Sequence, residues 1–229
     1  MLTIHHLDLS RSTNLDARGA PAGHVFVAER QTAGRGRLDH TWHATPGANL
    51  TFSVVLAAHP DPAVNATLPL VAGLAAAEAL GPDFLVKWPN DVYFGERKLC
   101  GILCERDGDN VIVGIGVNVN ETDFPPDLAD LATSLQILRG AAQDKDAILS
   151  DILRTLEQLH ADWLRAGLAP FLPRFAARDF LFDRDVAVVQ TDLDSAPVIG
   201  RARGIRDDGA LWVGDTPVYA GEVRWRRDS

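Results

Sequence analysis

The stretch from Phe84 to Asn120 decides the fold, and it reads FLVKWPNDVYFGERKLCGILCERDGDNVIVGIGVNVN. Its apolar runs are rich in β-branched residues and are separated only by short turns, at residues 89–91, 95–97 and 107–110. Strands that are joined by connections this short pair antiparallel. We therefore expect the antiparallel part of a β-sheet here.

Two patterns with the spacing of an amphipathic or buried helix flank this stretch. They cover residues 68–80, ended by Gly81-Pro82, and residues 144–166, ended by Gly167. Short β runs are predicted further upstream, over residues 4–9, 25–28 and 50–57. Together these elements predict an α+β fold, in which helices pack on a mixed or antiparallel sheet.

Two features lie between the upstream β runs. Thr13, followed three residues later by Asp16, predicts a capping box at the start of a helix. Residues 31–49 are rich in glycine, arginine and polar side chains, which predicts a long loop. A loop of that length is usually either functional or disordered.

The character of the sequence changes from Asp185 onward. Short β segments are separated there by glycine, aspartate and proline, at residues 186–189, 198–202, 210–213 and 222–225. Short strands at regular spacing predict a small β-barrel. We therefore divide the chain into two domains, residues 1–183 and residues 184–229.

Composition excludes several classes of protein. The formal net charge is -9 and the sequence pI is about 5.2, whereas binding of duplex nucleic acid needs an excess of lysine and arginine. No apolar run approaches the roughly 20 residues that span a bilayer, and the N-terminus lacks the features of a signal peptide. We expect a cytoplasmic protein without membrane or nucleic-acid partners.

Residues 31–37 read QTAGRGR and are a candidate ligand-binding loop. Glycines allow the backbone to approach a ligand closely, and the guanidinium groups of Arg35 and Arg37 suit phosphate or carboxylate. The alternative interpretation is a solvated flexible loop. The segment is neither a P-loop, because no Gly-Lys-Ser/Thr ends it, nor a dinucleotide fingerprint.

Three further features each have a structural and a functional interpretation. The turn 89–91 is either a plain turn or a rigid one, stiffened by its proline, that aims the next two side chains. Lys98 is either a surface residue or a cation that neutralises a reacting carboxylate and phosphate. Gly114 and Gly116 lie on one strand face and leave space for a ligand or for a crossing helix.

In this order and spacing, the segments resemble the biotin–protein ligase family, in particular its bacterial members. The matching stretches are residues 12–14, 31–37, 42, 46–50, 87–91, 97–105 and 114–118. The β-rich tail resembles the SH3-like C-terminal domain of that family. The resemblance implies a class II synthetase-like catalytic domain, and it places the start of this chain at that domain rather than at a DNA-binding module.

The resemblance also implies a two-step reaction. The carboxylate of biotin attacks the α-phosphate of ATP, giving biotinyl-5′-adenylate and pyrophosphate; an acceptor lysine then attacks the mixed anhydride and AMP leaves. Biotin, ATP and Mg²⁺ are the implied substrates and cofactors. The implied acceptor is the biotin carboxyl carrier protein of acetyl-CoA carboxylase, and an exposed sheet edge would allow a homodimer.

The same resemblance implies the site residues. Biotin is expected to contact Ser12, Thr13, Asn14, Gln31, Arg35, Gly36, Arg37, Lys98 and Gly101. ATP is expected to contact Arg35, Arg37, Trp42, Asn90, Lys98 and Asn118, with Trp42 either stacking on adenine or packing the loop. The implied catalytic residues are Lys98, Arg37 and Asp91, and Asp91 either assists the transfer step or positions magnesium.

Two alternatives belong to other functional classes. A lipoate- or octanoate-transfer enzyme shares a related fold and a central lysine, but residues 31–37 and 87–91 fit biotin ligases better. A non-catalytic biotin-binding sensor needs a pocket without reactive groups, and the presence of Lys98, Arg35 and Arg37 argues against it.

Overall fold

The computed structural model describes residues 2–38, 40–190 and 196–225. The strands are β1 (Thr3–Leu7), β2 (His24–Ala28), β3 (Leu50–Ala57), β4 (Leu85–Lys87), β5 (Asp91–Phe94), β6 (Arg97–Asp107), β7 (Asn110–Val117), β8 (Asp185–Val189), β9 (Val198–Ile205), β10 (Leu211–Val213), β11 (Thr216–Val218) and β12 (Glu222–Trp225). The α-helices are α1 (Thr13–Asp16), α2 (Pro62–Asn65), α3 (Leu68–Leu80), α4 (Leu135–Arg139), α5 (Lys145–Ala166) and α6 (Leu172–Ala176), and a 3₁₀ turn spans Ala169–Phe171.

The larger sheet has seven strands in the order β1-β2-β3-β7-β6-β5-β4. β1 and β2 pair in parallel, and every other neighbouring pair is antiparallel. Strands β4 to β7 come from the stretch quoted first, and their short turns impose the predicted antiparallel order. This mixed sheet confirms the predicted α+β fold.

Helices α3 and α5 form a layer on one face of this sheet. α3 is apolar nearly all round because it lies between the sheet and α5: Gly73 faces Val86 and Ile102, while Thr67 Oγ1 accepts a hydrogen bond from Trp163 Nε1 of α5 at 2.9 Å. α5 buries a single apolar stripe. The other face of the sheet is left to α1 and the loop that follows β2.

The tail forms a five-stranded antiparallel sheet in the order β11-β10-β9-β8-β12. Five short antiparallel strands are compatible with the SH3-like domain that the resemblance implies. This sheet packs directly on the larger one, since Trp88 Nε1 donates to Gly209 O at 2.9 Å and the Trp225 ring contacts Tyr93 and Phe180. The domain division after residue 183 stays a prediction.

The capping box predicted at Thr13 and Asp16 is wrong. α1 is a single turn whose N-cap is Ser12, and no side chain caps it. The Thr13 hydroxyl instead lies 2.7 Å from Ser53 Oγ, and the Asp16 carboxylate accepts a hydrogen bond from Ser10 Oγ. Partners that are distant in sequence compete for these side chains, and a local pattern does not reveal them.

Contrary to the expectation from the sequence, the described residues contain one segment, Pro62–Leu80, that is long and apolar enough to cross a membrane by length and composition. It comprises α2 and α3, and most of it is buried inside the protein. Its apolar character follows from the position of α3 between the sheet and α5.

Burial raises the pKa of Asp179 to about 6. The residue lies in the segment that joins the two sheets, where Phe180 N donates to Val86 O at 3.0 Å and Leu181 N donates to Asp179 Oδ1 at 2.9 Å. A carboxyl group whose pKa is higher in the folded than in the unfolded protein costs stability once the pH exceeds its unfolded pKa of about 3.9. This cost grows as the pH rises from about 4 to above 6.

We expect Asp179→Asn to raise the free energy of unfolding at about pH 8 by about 1–3 kcal/mol. Asparagine keeps the acceptor for Leu181 N and removes the buried charge. The gain should be smaller at about pH 5, where the carboxyl group is mostly protonated. Urea unfolding at both pH values measures this difference, with the exposed Asp123→Asn as control. An equal gain at both pH values would contradict the cost assigned to burial.

Candidate active site

A cavity of about 550 Å³ lies on the side of the large sheet that carries α1. Its floor is formed by β6 and β7, and its walls by residues 35–38 and 40–42 (the flap), the turn 89–91 and β12. The flap is a tight hairpin, in which Arg35 pairs with Thr41 and Trp42 N donates to Gly34 O at 3.0 Å. All thirteen residues that the resemblance implied line this cavity: Ser12, Thr13, Asn14, Gln31, Arg35, Gly36, Arg37, Trp42, Asn90, Asp91, Lys98, Gly101 and Asn118.

Three glycines of the floor admit side chains from the facing wall. A Cβ at Gly101 would lie 2.9 Å from Trp42 Cζ3, and a Cβ at Gly116 would overlap the same indole ring. A Cβ at Gly114 would overlap the amide oxygen of Asn14. The space predicted above Gly114 and Gly116 is therefore filled by two side chains rather than by a crossing helix.

One part of the cavity wall is a chain of buried polar groups. Gln31 Oε1 accepts a hydrogen bond from Thr13 N at 2.8 Å, while Ser53 Oγ lies 2.7 Å from Thr13 Oγ1 and donates to Asn14 Oδ1 at 2.6 Å. Ser12 is buried at the start of α1. Sequence reasoning missed Ser53, because a single serine in the apolar strand β3 gives no signal of its own.

A second part of the wall is charged. Lys98 Nζ lies 2.6 Å from Asp91 Oδ1, and Lys87 Nζ lies 4.0 Å from Asp91 Oδ2. Arg37 Nη1 donates to Asn90 Oδ1 at 3.3 Å. Burial lowers the pKa of both Lys87 and Arg37, and the Asp91 carboxylate opposes both shifts. Three cations around one carboxylate leave an excess of positive charge, which suits an anionic ligand.

A β-bulge brings Lys98 to the cavity side of β6. Successive side chains of a strand alternate between faces, so Lys98 and Gly101, three residues apart, would normally point to opposite faces. The register between β5 and β6 shifts between Val92 and Tyr93, and a Cβ at Gly101 would lie 3.2 Å from Lys98 Nζ. The extra residue in the strand thus re-aims the lysine, as bulges do beside many active sites.

The small sheet completes the charged part of the wall. The Lys87 ammonium lies 5.1 Å from the centre of the Trp225 ring, and Gly221 O accepts a hydrogen bond from Arg37 Nη1 at 3.5 Å. Sequence reasoning assigned no role to Lys87 or to β12. The lysine lies two residues before the turn 89–91, so its place in the sequence was the available signal, whereas the contribution of β12 depends on long-range packing.

Trp42, Arg35 and Asn118, like the implied ligand residues described above, make contacts within the protein. Trp42 packs the flap against the glycines of the floor. Arg35 Nη1 lies 3.2 Å from Glu105 Oε1, and Asn118 Nδ2 donates to Thr133 O at 3.1 Å. Their contacts with ligands stay predictions.

Comparison with known proteins identifies the family. A model of the biotin/lipoate A/B protein ligase family matches residues 9–120. The biotin–[acetyl-CoA-carboxylase] ligase of Mycobacterium tuberculosis is 38% identical over 215 residues, which cover 87% of this chain and 79% of that protein. The chain belongs to the biotin protein ligase family.

Other relatives match this chain in sequence or in fold, over different shares of their own length. The bifunctional ligase/repressor BirA of Bacillus subtilis is 32% identical over 96% of this chain and 73% of its own length. The chain spans 61% of the Escherichia coli relative of the same name, at 33% identity. The biotin protein ligase of Aquifex aeolicus, solved with biotin and ATP, matches with a TM-score of 0.87, at 28% identity over the whole of both chains.

Among the described residues, no group of three or more His, Cys, Asp or Glu side chains could hold a metal ion. Asp91, which the sequence suggested as a magnesium ligand, already pairs with two ammonium groups. Magnesium usually keeps several waters and binds through one or two carboxylates together with substrate phosphates.

We expect Gly116→Ala to lower the free energy of unfolding by about 1–2 kcal/mol, because the new methyl group displaces the Trp42 indole. In a Trp42→Ala background the same change should cost much less, since the colliding ring is gone. Urea unfolding of the wild type, both single variants and the double variant measures this coupling. Gly73→Ala is the matched control and should be neutral or stabilising, because its methyl group meets only ordinary contacts in a helix. Additive effects would contradict the contact.

Proposed function

We propose that this protein is a biotin–protein ligase, which activates biotin with ATP to biotinyl-5′-AMP and transfers it to a lysine of an acceptor protein. The first step brings a carboxylate against a polyphosphate, so their repulsion must be offset by cations in fixed positions. Charge that develops on the α-phosphate is stabilised most by donors already in place before the reaction.

The observation that carries this proposal is the convergence of Arg37, Lys87 and Lys98 on the side chains of Asn90 and Asp91 at one wall of one cavity. These cations come from the flap, from the end of β4 and from β6, so their meeting depends on the fold. A cavity of about 550 Å³ is large enough for a ligand of drug-like size.

The polar part of the wall is the proposed biotin end. Buried Ser12, Thr13 and Asn14 and half-buried Gln31 present donors and acceptors there. These suit the ureido ring of biotin because that ring needs partners for both its N–H groups and its carbonyl. Gly101, Gly36 and Lys98 would line the path of the biotin tail toward the charged wall.

The nucleotide is proposed to occupy the remaining part of the cavity. Arg37 and Lys98 would bind the α-phosphate, while Asn90, Trp42 and Asn118 would contact the nucleoside. For this, the Trp42 indole must leave the glycine floor or present its open face. Arg35 would join the phosphate when its pair with Glu105 opens.

For Asp91 we favour assistance in the transfer step over a role as magnesium ligand. Its carboxylate holds the Lys98 ammonium at 2.6 Å and thereby fixes the position of that cation at the reacting centre. When the acceptor lysine arrives, the same carboxylate can attract its ammonium and orient it.

The partners follow from the chemistry and from the names of the relatives. We propose the biotin carboxyl carrier protein of acetyl-CoA carboxylase as the acceptor, in line with the relatives named biotin–[acetyl-CoA-carboxylase] ligase. A cytoplasmic location gives access to ATP and to that acceptor. β1 is an edge strand of the large sheet, which supports the proposal of a homodimer, and the net charge of -9 supports a protein that does not bind nucleic acid.

Two measurements separate this function from its alternatives. Biotin-dependent exchange of pyrophosphate into ATP is expected for a ligase and not for a non-catalytic sensor. Isothermal titration should give binding of biotin and no comparable binding of lipoate. Absence of exchange, or tighter binding of lipoate, would overturn the proposal.

We expect Lys98→Ala and Arg37→Ala each to lower the rate of biotin-dependent pyrophosphate exchange by about 100-fold or more. Each variant loses a cation at the reacting centre, and neither side chain forms part of the apolar core. Thermal midpoints should stay within a few degrees of the wild type. Lys145→Ala is the matched control, because Lys145 pairs with Glu29 outside the cavity. Wild-type exchange rates in both cavity variants would refute the assignment of the reacting centre.

A further inference from the structure

Glu105 lies on β6 just outside the cavity and receives three donors on one carboxylate. Asn14 Nδ2 donates to Oε2 at 2.7 Å, and the guanidinium groups of Arg18 and Arg35 each lie 3.2 Å from Oε1. The Glu105 side chain is only 18% exposed. A single carboxylate therefore joins a residue of the cavity wall to a residue of the flap.

The charge of Glu105 fixes which way the Asn14 amide points. A carboxylate only accepts hydrogen bonds, so the NH₂ group of Asn14 must face Glu105. The amide oxygen then faces Ser53 Oγ, which donates to it at 2.6 Å, and the missing side chain of Gly114 leaves the space that the amide occupies. The hydrogen bond between Asn14 and Glu105 therefore fixes which groups donate and which accept along the polar wall, from Asn14 through Ser53 to Thr13.

The same carboxylate holds the flap. Arg35 begins the flap hairpin, and its side chain is 44% exposed. The ion pair with Glu105 ties this side chain to β6 of the large sheet. Arg18, just after α1, binds the same oxygen, so the Glu105 carboxylate bridges α1 and the flap. A flap that is ordered in advance loses less conformational entropy when a ligand binds beneath it.

We propose that Glu105 is a positioning residue for ligation: it orients the Asn14 amide at the biotin end and restrains the flap through Arg35. This inference rests on the proposed function. Glu105 makes no contact with the cavity itself, so its effect on the reaction passes through these two partners.

Two substitutions separate the two roles. Glu105→Gln keeps an oxygen that can accept from Asn14 Nδ2 but removes the charge that attracts Arg35. We expect about a two- to fivefold faster trypsin cleavage after Arg35 and Arg37, with a KM for biotin within about threefold of the wild type. Glu105→Ala also removes the acceptor for Asn14, and its KM for biotin should rise by about tenfold or more while kcat changes less.

A matched control and a stability measurement keep the result interpretable. Glu157→Gln makes the same chemical change at an exposed position of α5 and should leave cleavage, KM and kcat unchanged. Thermal midpoints of all variants show whether each is folded, and the near-isosteric Gln variant tests the restraint of the flap even if the Ala variant unfolds.

The outcomes for Glu105 and for the proposed function are distinct. A wild-type protein without biotin-dependent exchange would refute the proposed function. If the wild type is active, an unchanged KM for biotin in Glu105→Ala together with unchanged cleavage in Glu105→Gln would overturn the positioning role. A lower kcat and thermal midpoint at constant KM would also overturn it, because that pattern indicates a merely structural residue.

Discussion

The ion pairs of Asp91 are the interaction on which the candidate site depends. Buried ammonium and guanidinium groups are costly unless an anion lies close by. Asp91 provides that anion for Lys98 at 2.6 Å and for Lys87 at 4.0 Å, and its charge also opposes the fall of the pKa of Arg37. Asp91 therefore holds the Lys98 and Lys87 ammonium groups in place at the wall of the cavity. The fold has therefore offset the cost of desolvating these cations before an anionic substrate binds to them.

The large sheet makes this arrangement geometrically possible. Asp91 of β5 stands opposite Gly101 of β6, so a carboxylate and an open patch of floor are neighbours. The bulge in the same pair of strands turns Lys98 toward them. The helix layer occupies the other face, and the flap and β12 close the remaining sides. The cavity thus needs contributions from both sheets, because β12 of the tail forms part of its wall.

Much of the fold followed from the sequence, because strand alternation and helix spacing are local signals. Strand β3 and helix α3 have the predicted bounds. The candidate residues that the resemblance implied all line one cavity. The failures share one cause: they depend on partners distant in the chain. The Thr13 hydroxyl turned to Ser53 instead of capping α1, and sequence reasoning assigned no role to Glu105, which accepts a hydrogen bond from Asn14. In both cases the residue that decides the role of the side chain is far away in the sequence, so the local sequence pattern does not reveal it.

The proposed reaction requires the flap and β6 to bring Arg37 and Lys98 to one reacting centre. A crystal structure with a non-hydrolysable analogue of biotinyl-5′-adenylate would show whether they meet there. We expect phosphate oxygens within about 3.2 Å of both Lys98 Nζ and the Arg37 guanidinium, with the bicyclic ring against Asn14 and Gln31. A ligand whose phosphate contacts neither cation, or that binds outside this cavity, would contradict it.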